Sequence, residues 1–149
     1  MKSQLRNSNK MSGVALCLAS LVILALSQGC NKNTPSAKEV STNLLVAHDW
    51  KLSTLSVDGV DKTSLYAGMT LSIATGTYTT VNGAPVWPAT DTWTLSNDGK
   101  TITRGDGIEV SVTAITADGL TLTLNWTMNT FAGGRTASVA GNHVFTFVK

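Results

Sequence analysis

From Leu44 onward, apolar and polar residues alternate with a period of two, and threonine recurs at the polar positions. That pattern predicts strands rather than helices. It is clearest where Leu120, Leu122, Leu124, Trp126 and Met128 alternate with Thr121, Thr123, Asn125 and Thr127, and again where Ile108, Val110, Val112 and Ala114 alternate with Glu109, Ser111 and Thr113. Tight reversals are marked by Asp58-Gly59, Thr75-Gly76, Asn97-Asp98-Gly99, Gly105-Asp106-Gly107 and Asp118-Gly119, which supply the positive φ that such turns need. The expected strands lie near 50–57, 69–74, 77–82, 91–96, 100–104, 108–116, 120–128 and 143–149, each antiparallel to the next, with a single helical turn at Leu44–Ala47 before the first. No repeat at solenoid spacing interrupts them.

Such a meander stays an open sheet, splits into a β-sandwich or closes into a barrel. Its wet faces carry Thr, Ser and Asn but few of the lysines that protect free edges, so closure is expected. The fold class is therefore all-β, an eight-stranded antiparallel up-and-down barrel in which the last strand pairs with the first, with a β-sandwich as the alternative. Closure sorts the connections between two ends. The end where the first strand starts, here the bottom, has the minimal turns 75–76, 97–99 and 117–119; the top has 105–107 and the three long loops 58–68, 83–90 and 129–142. Long loops gathered on one rim of a rigid scaffold are where binding residues usually lie.

The beginning of the chain follows a different rule. Lys2, Arg6 and Lys10 precede an unbroken apolar run, Val14–Leu26, too short for an ordinary spanning helix and suited to a signal peptide. Gly29-Cys30 then resembles the cleavage site of bacterial lipoprotein precursors, which implies a signal peptide over 1–29 and a lipid-modified Cys30; ordinary secretion with cleavage after Ser27 is the alternative. Asn31 stands where inner-membrane retention would want Asp, so the same resemblance implies an outer-membrane location. Residues 30–43 are polar, contain Pro35 and read as a flexible tether, and 44–149 form the folded domain.

Removal of the leader changes the charge. The whole chain has a formal net charge of +2, but the leader takes three of the 11 Lys and Arg and none of the nine Asp and Glu, leaving −1. A basic nucleic-acid footprint is excluded. Cys17 leaves with the leader, and a single remaining cysteine excludes a disulfide framework or a cysteine-ligated metal.

Few residues carry chemistry. His48 precedes the first strand at the bottom and His143 opens the last at the top, roughly 20 Å apart at the strand rise, so they form no joint site and each is expected at the surface or rim. Asp98, Asp106 and Asp118 are accounted for by their turns, and no acidic cluster has calcium-ligand spacing. There is no nucleophile elbow, zinc helix motif or phosphate loop, so no catalytic residue, metal or cofactor is expected. The aromatics say more. Trp93 and Trp126 are expected to face inward near the top, Trp87 lies between Pro85 and Pro88 in one long loop, and Tyr66 and Phe131 lie in the other two. Together with Met128, and with Arg135 after Gly133-Gly134 as a candidate for an acidic head group, they form the expected ligand-binding set. An eight-stranded barrel has room for its own side chains or for one small ligand.

Leu44-Leu45-Val46-Ala47-His48-Asp49-Trp50-Lys51-Leu52, the Gly76-Thr77-Tyr78 hairpin and the closing Val144-Phe145-Thr146-Phe147-Val148-Lys149 together resemble the lipocalin-like domains of bacterial lipoproteins. The resemblance implies a cup for a small, mostly apolar molecule, with Lys149 packed on Trp50 where the last strand meets the first. The expected function is a lipid-anchored binding module of the cell envelope that holds an apolar or amphipathic ligand. The alternative is a filled barrel whose top loops dock a protein or glycan.

Overall fold

The computed structural model describes residues 34–149 apart from 129, 133, 134 and 139, with only the backbone described at 130–132 and 135–138. The leader and Cys30 lie outside the described residues. The compact unit runs Pro35–Lys149.

Eight strands close an all-antiparallel barrel. In chain order the strands are β1 (Asp49–Val57), β2 (Val60–Asp61), β3 (Thr70–Ala74), β4 (Thr77–Val81), β5 (Thr90–Leu95), β6 (Thr101–Arg104), β7 (Glu109–Ile115), β8 (Gly119–Trp126), β9 (Thr130–Ala132), β10 (Arg135–Ser138) and β11 (Gly141–Val148). The barrel follows the order β11-β8-β7-β6-β5-β4-β3-β1 and shuts through β1 against β11, with Lys51 opposite Val148 and Leu55 opposite Phe145. All the expected barrel strands are present. The additions fall inside the long top connections: β2 forms a hairpin with the end of β1, a 3-10 turn spans Thr63–Tyr66, and β9 pairs with β10 inside the 129–142 loop.

Alternation explains which side chains fill the barrel. On β8, Leu120, Leu122, Leu124 and Trp126 point inward and are buried; on β11 the inward set is His143, Phe145 and Phe147. Phe145 and Phe147 stack nearly parallel at 6.1 Å. Outside, rows of Thr, Ser and Asn face water.

Two expectations about the bottom are corrected. The segment read as a tether is helical from Ala37 to Leu45 (α1), longer than the single turn expected. The cause is a capping box: the Ser36 hydroxyl accepts the Glu39 N–H at 3.2 Å, and the Glu39 carboxylate accepts the Ser36 N–H at 2.7 Å. Those hydrogen bonds hold the Glu39 carboxyl below its ordinary pKa. Gly99, with φ +71° in its turn, admits the helix, since a Cβ there would lie 2.8 Å from the Ala37 carbonyl. Nor does Lys149 pack on Trp50. Lys149 pairs with Asp118, and the ring against Trp50 is that of His48, edge-on at 5.8 Å. Trp50 is fully buried with its indole N–H given to the Leu45 carbonyl at 2.9 Å, so helix and first strand are joined inside the floor.

Candidate functional site

The top connections turn inward. Tyr66 ends the 3-10 turn and Trp87 lies in the connection between β4 and β5; both are buried, and both meet Phe145 edge-on, at 5.8 and 5.9 Å. Trp87 also meets Tyr78 edge-on at 5.5 Å. Expected as rim aromatics, these two rings instead close the mouth. Burying two large rings outweighs the hydrophilic habit of loops, because each removes more apolar surface than most strand positions offer. Gly83 permits the fold of the loop, since a Cβ there would stand 2.8 Å from both the Trp87 Cβ and the Thr80 hydroxyl. The Thr80 hydroxyl in turn donates to the Pro88 carbonyl at 2.8 Å, and the loop includes a cis Ala84–Pro85 bond.

Arg104 locks this plug. It occupies an inward position on β6 and is almost wholly buried. Its Nη1 donates to the Val86 carbonyl at 2.7 Å, its guanidinium lies 5.0 Å above the Trp87 ring, and its Nη2 pairs with Asp106. Burial alone would raise the Asp106 pKa. Hydrogen bonds from Arg104 and the Ile108 N–H, with the guanidinium charge, outweigh it and hold the carboxyl low. Asp106, expected only to shape a turn, thus also neutralises a buried cation. The alternation of Ile102 and Arg104 between Thr101 and Thr103 was the available sign that Arg104 points inward.

His143 corrects another expectation. It is fully buried inside the barrel rather than at the surface or rim, stacked on Phe145 at 5.9 Å. The frame His143, Phe145, Phe147 already put it on the inward side of β11. Burial pushes its pKa below the ordinary 6.5, against smaller opposing effects of the Gly141 carbonyl and Asp58, so the ring is held neutral. His48, against Trp50, stays at the other end.

The remaining expected site residues divide. Trp93 points to the opposite end: its indole N–H is shared between the carbonyls of Ala74 and Thr77, at 2.8 and 3.0 Å, in the bottom turn between β3 and β4. The stagger of a tilted barrel accounts for this, since neighbouring strands at one level do not start level. Its ring nevertheless borders, with that of Trp87, a void of about 10 Å³ whose walls include Leu71, Ile73, Tyr78 and Ile102. Trp126 and Met128 border a different feature, an open recess of about 550 Å³ that also takes in Leu124, Glu109, Ser111, Asn125 and Asn142. Trp126 is buried, whereas Met128 is 56% exposed. The side chains of Phe131 and Arg135 lie outside the described residues.

One property sets the mouth apart. Among the described residues, Tyr66 Oη, Tyr78 Oη, Trp87 Nε1 and His143 Nε2 are buried with no hydrogen-bond partner. All four belong to the ring cluster around Phe145 and Trp87. Buried polar atoms in native proteins are nearly always paired. Burial raises both phenols to about 12, at Tyr78 against the Arg104 charge and with a smaller push from Asp91 and Asp106, so they are protonated and able to donate. Among the described residues, no group of three or more His, Cys, Asp and Glu is placed to hold a metal. A scan against protein-family models finds no match, and a search of the curated proteins finds none either.

Proposed function

We propose that the chain is a binding module, not an enzyme, anchored in the outer membrane of a bacterial envelope through a lipid on Cys30, and that the mouth end of its barrel receives a small apolar or amphipathic molecule. The observation that carries this reading is the set of four polar atoms, unpartnered among the described residues, in the ring cluster that runs from the mouth through Phe145 and Trp87. Each such atom costs about 1–3 kcal/mol while it lacks a partner. A guest that brings apolar surface to the rings and a polar group to those atoms is stabilised by both, which is the usual composition of a small-molecule site.

A second reading has its own support. The interior void of about 10 Å³ is far smaller than an acyl chain, and the open recess beside Met128 is lined with amide, hydroxyl and carboxylate groups. A filled barrel that docks a protein or glycan on its rim would look like this as well.

Titration with hydrophobic dyes, fatty acids and small aromatic compounds, followed by tryptophan fluorescence and melting temperature, separates the two. Saturable shifts, and a small molecule carried by protein purified from its native membrane, support the mouth site. A broad library without effect, and an empty native protein, transfers the function to the rim. The anchor is tested apart from this: Cys30→Ser is expected to move the protein from the membrane to the soluble fraction, and a membrane-extracted protein whose N-terminus carries no acyl mass would remove it.

A further inference from the structure

We propose that the Trp87 side chain occupies the binding position itself, and that the ligand is a neutral, flat molecule of one or two fused rings bearing a hydroxyl or ring N–H, which takes the indole's place between Tyr78, Phe145 and the Arg104 guanidinium. This rests on the mouth reading above and narrows it to a chemical class.

The first support is how Trp87 is held. Two ring edges and a guanidinium face surround it, at 5.5, 5.9 and 5.0 Å, a setting that recognises any flat π-system rather than one residue. The second is what its departure would break. Paired residues of β4 and β5 end at Thr79 opposite Thr90, so the 83–88 segment belongs to no ladder. Among the described residues the Trp87 indole N–H donates to nothing, whereas those of Trp50 and Trp93 each serve carbonyls. The bonds that hold the segment, from the Trp87 backbone N–H to the Gly83 carbonyl and from Arg104 to the Val86 carbonyl, do not use the indole. Moving the indole into water costs apolar burial but no internal hydrogen bond from its nitrogen, and an incoming ring restores the burial.

Size and charge then define the guest. The adjoining void adds only about 10 Å³, so the vacated space is close to that of an indole and excludes a long acyl chain. Arg104 is already neutralised by Asp106, and the Tyr78 phenol stays protonated, so no unbalanced charge awaits an anion. What does await a partner is the Tyr78 hydroxyl, on a ring in contact with Trp87. A ligand hydroxyl or ring N–H there would pair an atom that is now unpaired.

The test uses the full chain in lipid nanodiscs with 15N-labelled tryptophan, titrated with p-cresol, toluene and dodecanoic acid. The Trp87 indole signal, identified by its loss in Trp87→Phe, is expected to shift and enter fast solvent exchange as p-cresol binds, while those of Trp50 and Trp93 stay protected. Toluene should bind roughly three- to tenfold more weakly, the difference one neutral hydrogen bond makes. In Tyr78→Phe, which removes only an unpaired hydroxyl, p-cresol and toluene should bind alike. The inference is overturned if p-cresol binds with the Trp87 signal unmoved, if wild type does not distinguish p-cresol from toluene, or if dodecanoic acid is the better displacer; each of these leaves the mouth reading standing. Silence toward all three compounds, together with an empty native protein, overturns both.

Discussion

The two ends of the barrel are closed by opposite means. At the bottom the closure is regular structure: α1 lies under the strands, turns are minimal, and the two tryptophans there, Trp50 and Trp93, each give their N–H to carbonyls of the frame. At the top the closure is irregular chain, and Tyr66, Trp87 and His143 are equally buried yet each has a polar atom unpaired among the described residues. Apolar burial is therefore similar at both ends, and polar satisfaction is not. An end that needs only stability has no reason to keep three unpaired polar atoms.

The comparison breaks entirely if the barrel opens. Deleting Phe145–Lys149 removes half of β11, which pairs with both β8 and β1, and should abolish cooperative unfolding by circular dichroism. A truncated chain that melted like the intact one would mean that this seam contributes nothing.

Next in size is the contrast between tryptophans. Trp50→Ala should cost about 3–5 kcal/mol, the usual range for a large ring removed from a core, and it also strands the Leu45 carbonyl. Trp87→Ala should cost at least about 1 kcal/mol less, because a loop closes on a cavity more readily than a sheet does and no indole hydrogen bond is lost. Urea midpoints measure both. Equal losses would remove the distinction between floor and plug.

A pH dependence sharpens the contrast, since the lowered histidine lies at the top. With the folded pKa below the unfolded 6.5, the unfolded chain binds the proton more readily. The contribution of His143 is thus complete above about pH 6.5 and is lost as pH falls from there through the folded value. Melting temperature should drop between about pH 7.5 and about pH 5.5, and His143→Phe should flatten that drop. An unchanged slope would place its origin elsewhere.

The smallest effect is at the bottom surface. Lys149 and Asp118 are both exposed, so water and salt screen the pair although it holds the Asp118 carboxyl low. Lys149→Ala should leave the melting temperature unchanged within error, and a clear drop would show that the last residue supports the seam.

The strands were legible because a half-wet sheet imposes a two-residue period that turns punctuate with Gly, Asn and Asp. Closure followed from counting those strands and their loops. What was not legible depended on partners distant in sequence. Ser36-Ala37-Lys38-Glu39 spells a capping box, but within a short polar stretch that signal is outweighed by composition. Whether Trp87 lies on a rim or under it is decided by Tyr78, Phe145 and Arg104, none of them its neighbours in the chain. The expected ligand set shares one end of the barrel, whereas tilt sends Trp93 toward the floor, and Trp126 and Met128 border a separate open recess.

The seam between β1 and β11 also bears on when the molecule can fold. Its register joins Lys51 to Val148, so the contacts that close the sheet span nearly the whole domain. Loop entropy must be met before such pairing returns any stability, and chains dominated by distant contacts fold slowly. Until the last residues have emerged, β1 has no partner on one side and the barrel remains an open ribbon. A protein built this way acquires its closed shape only once both ends of the domain are available to pair.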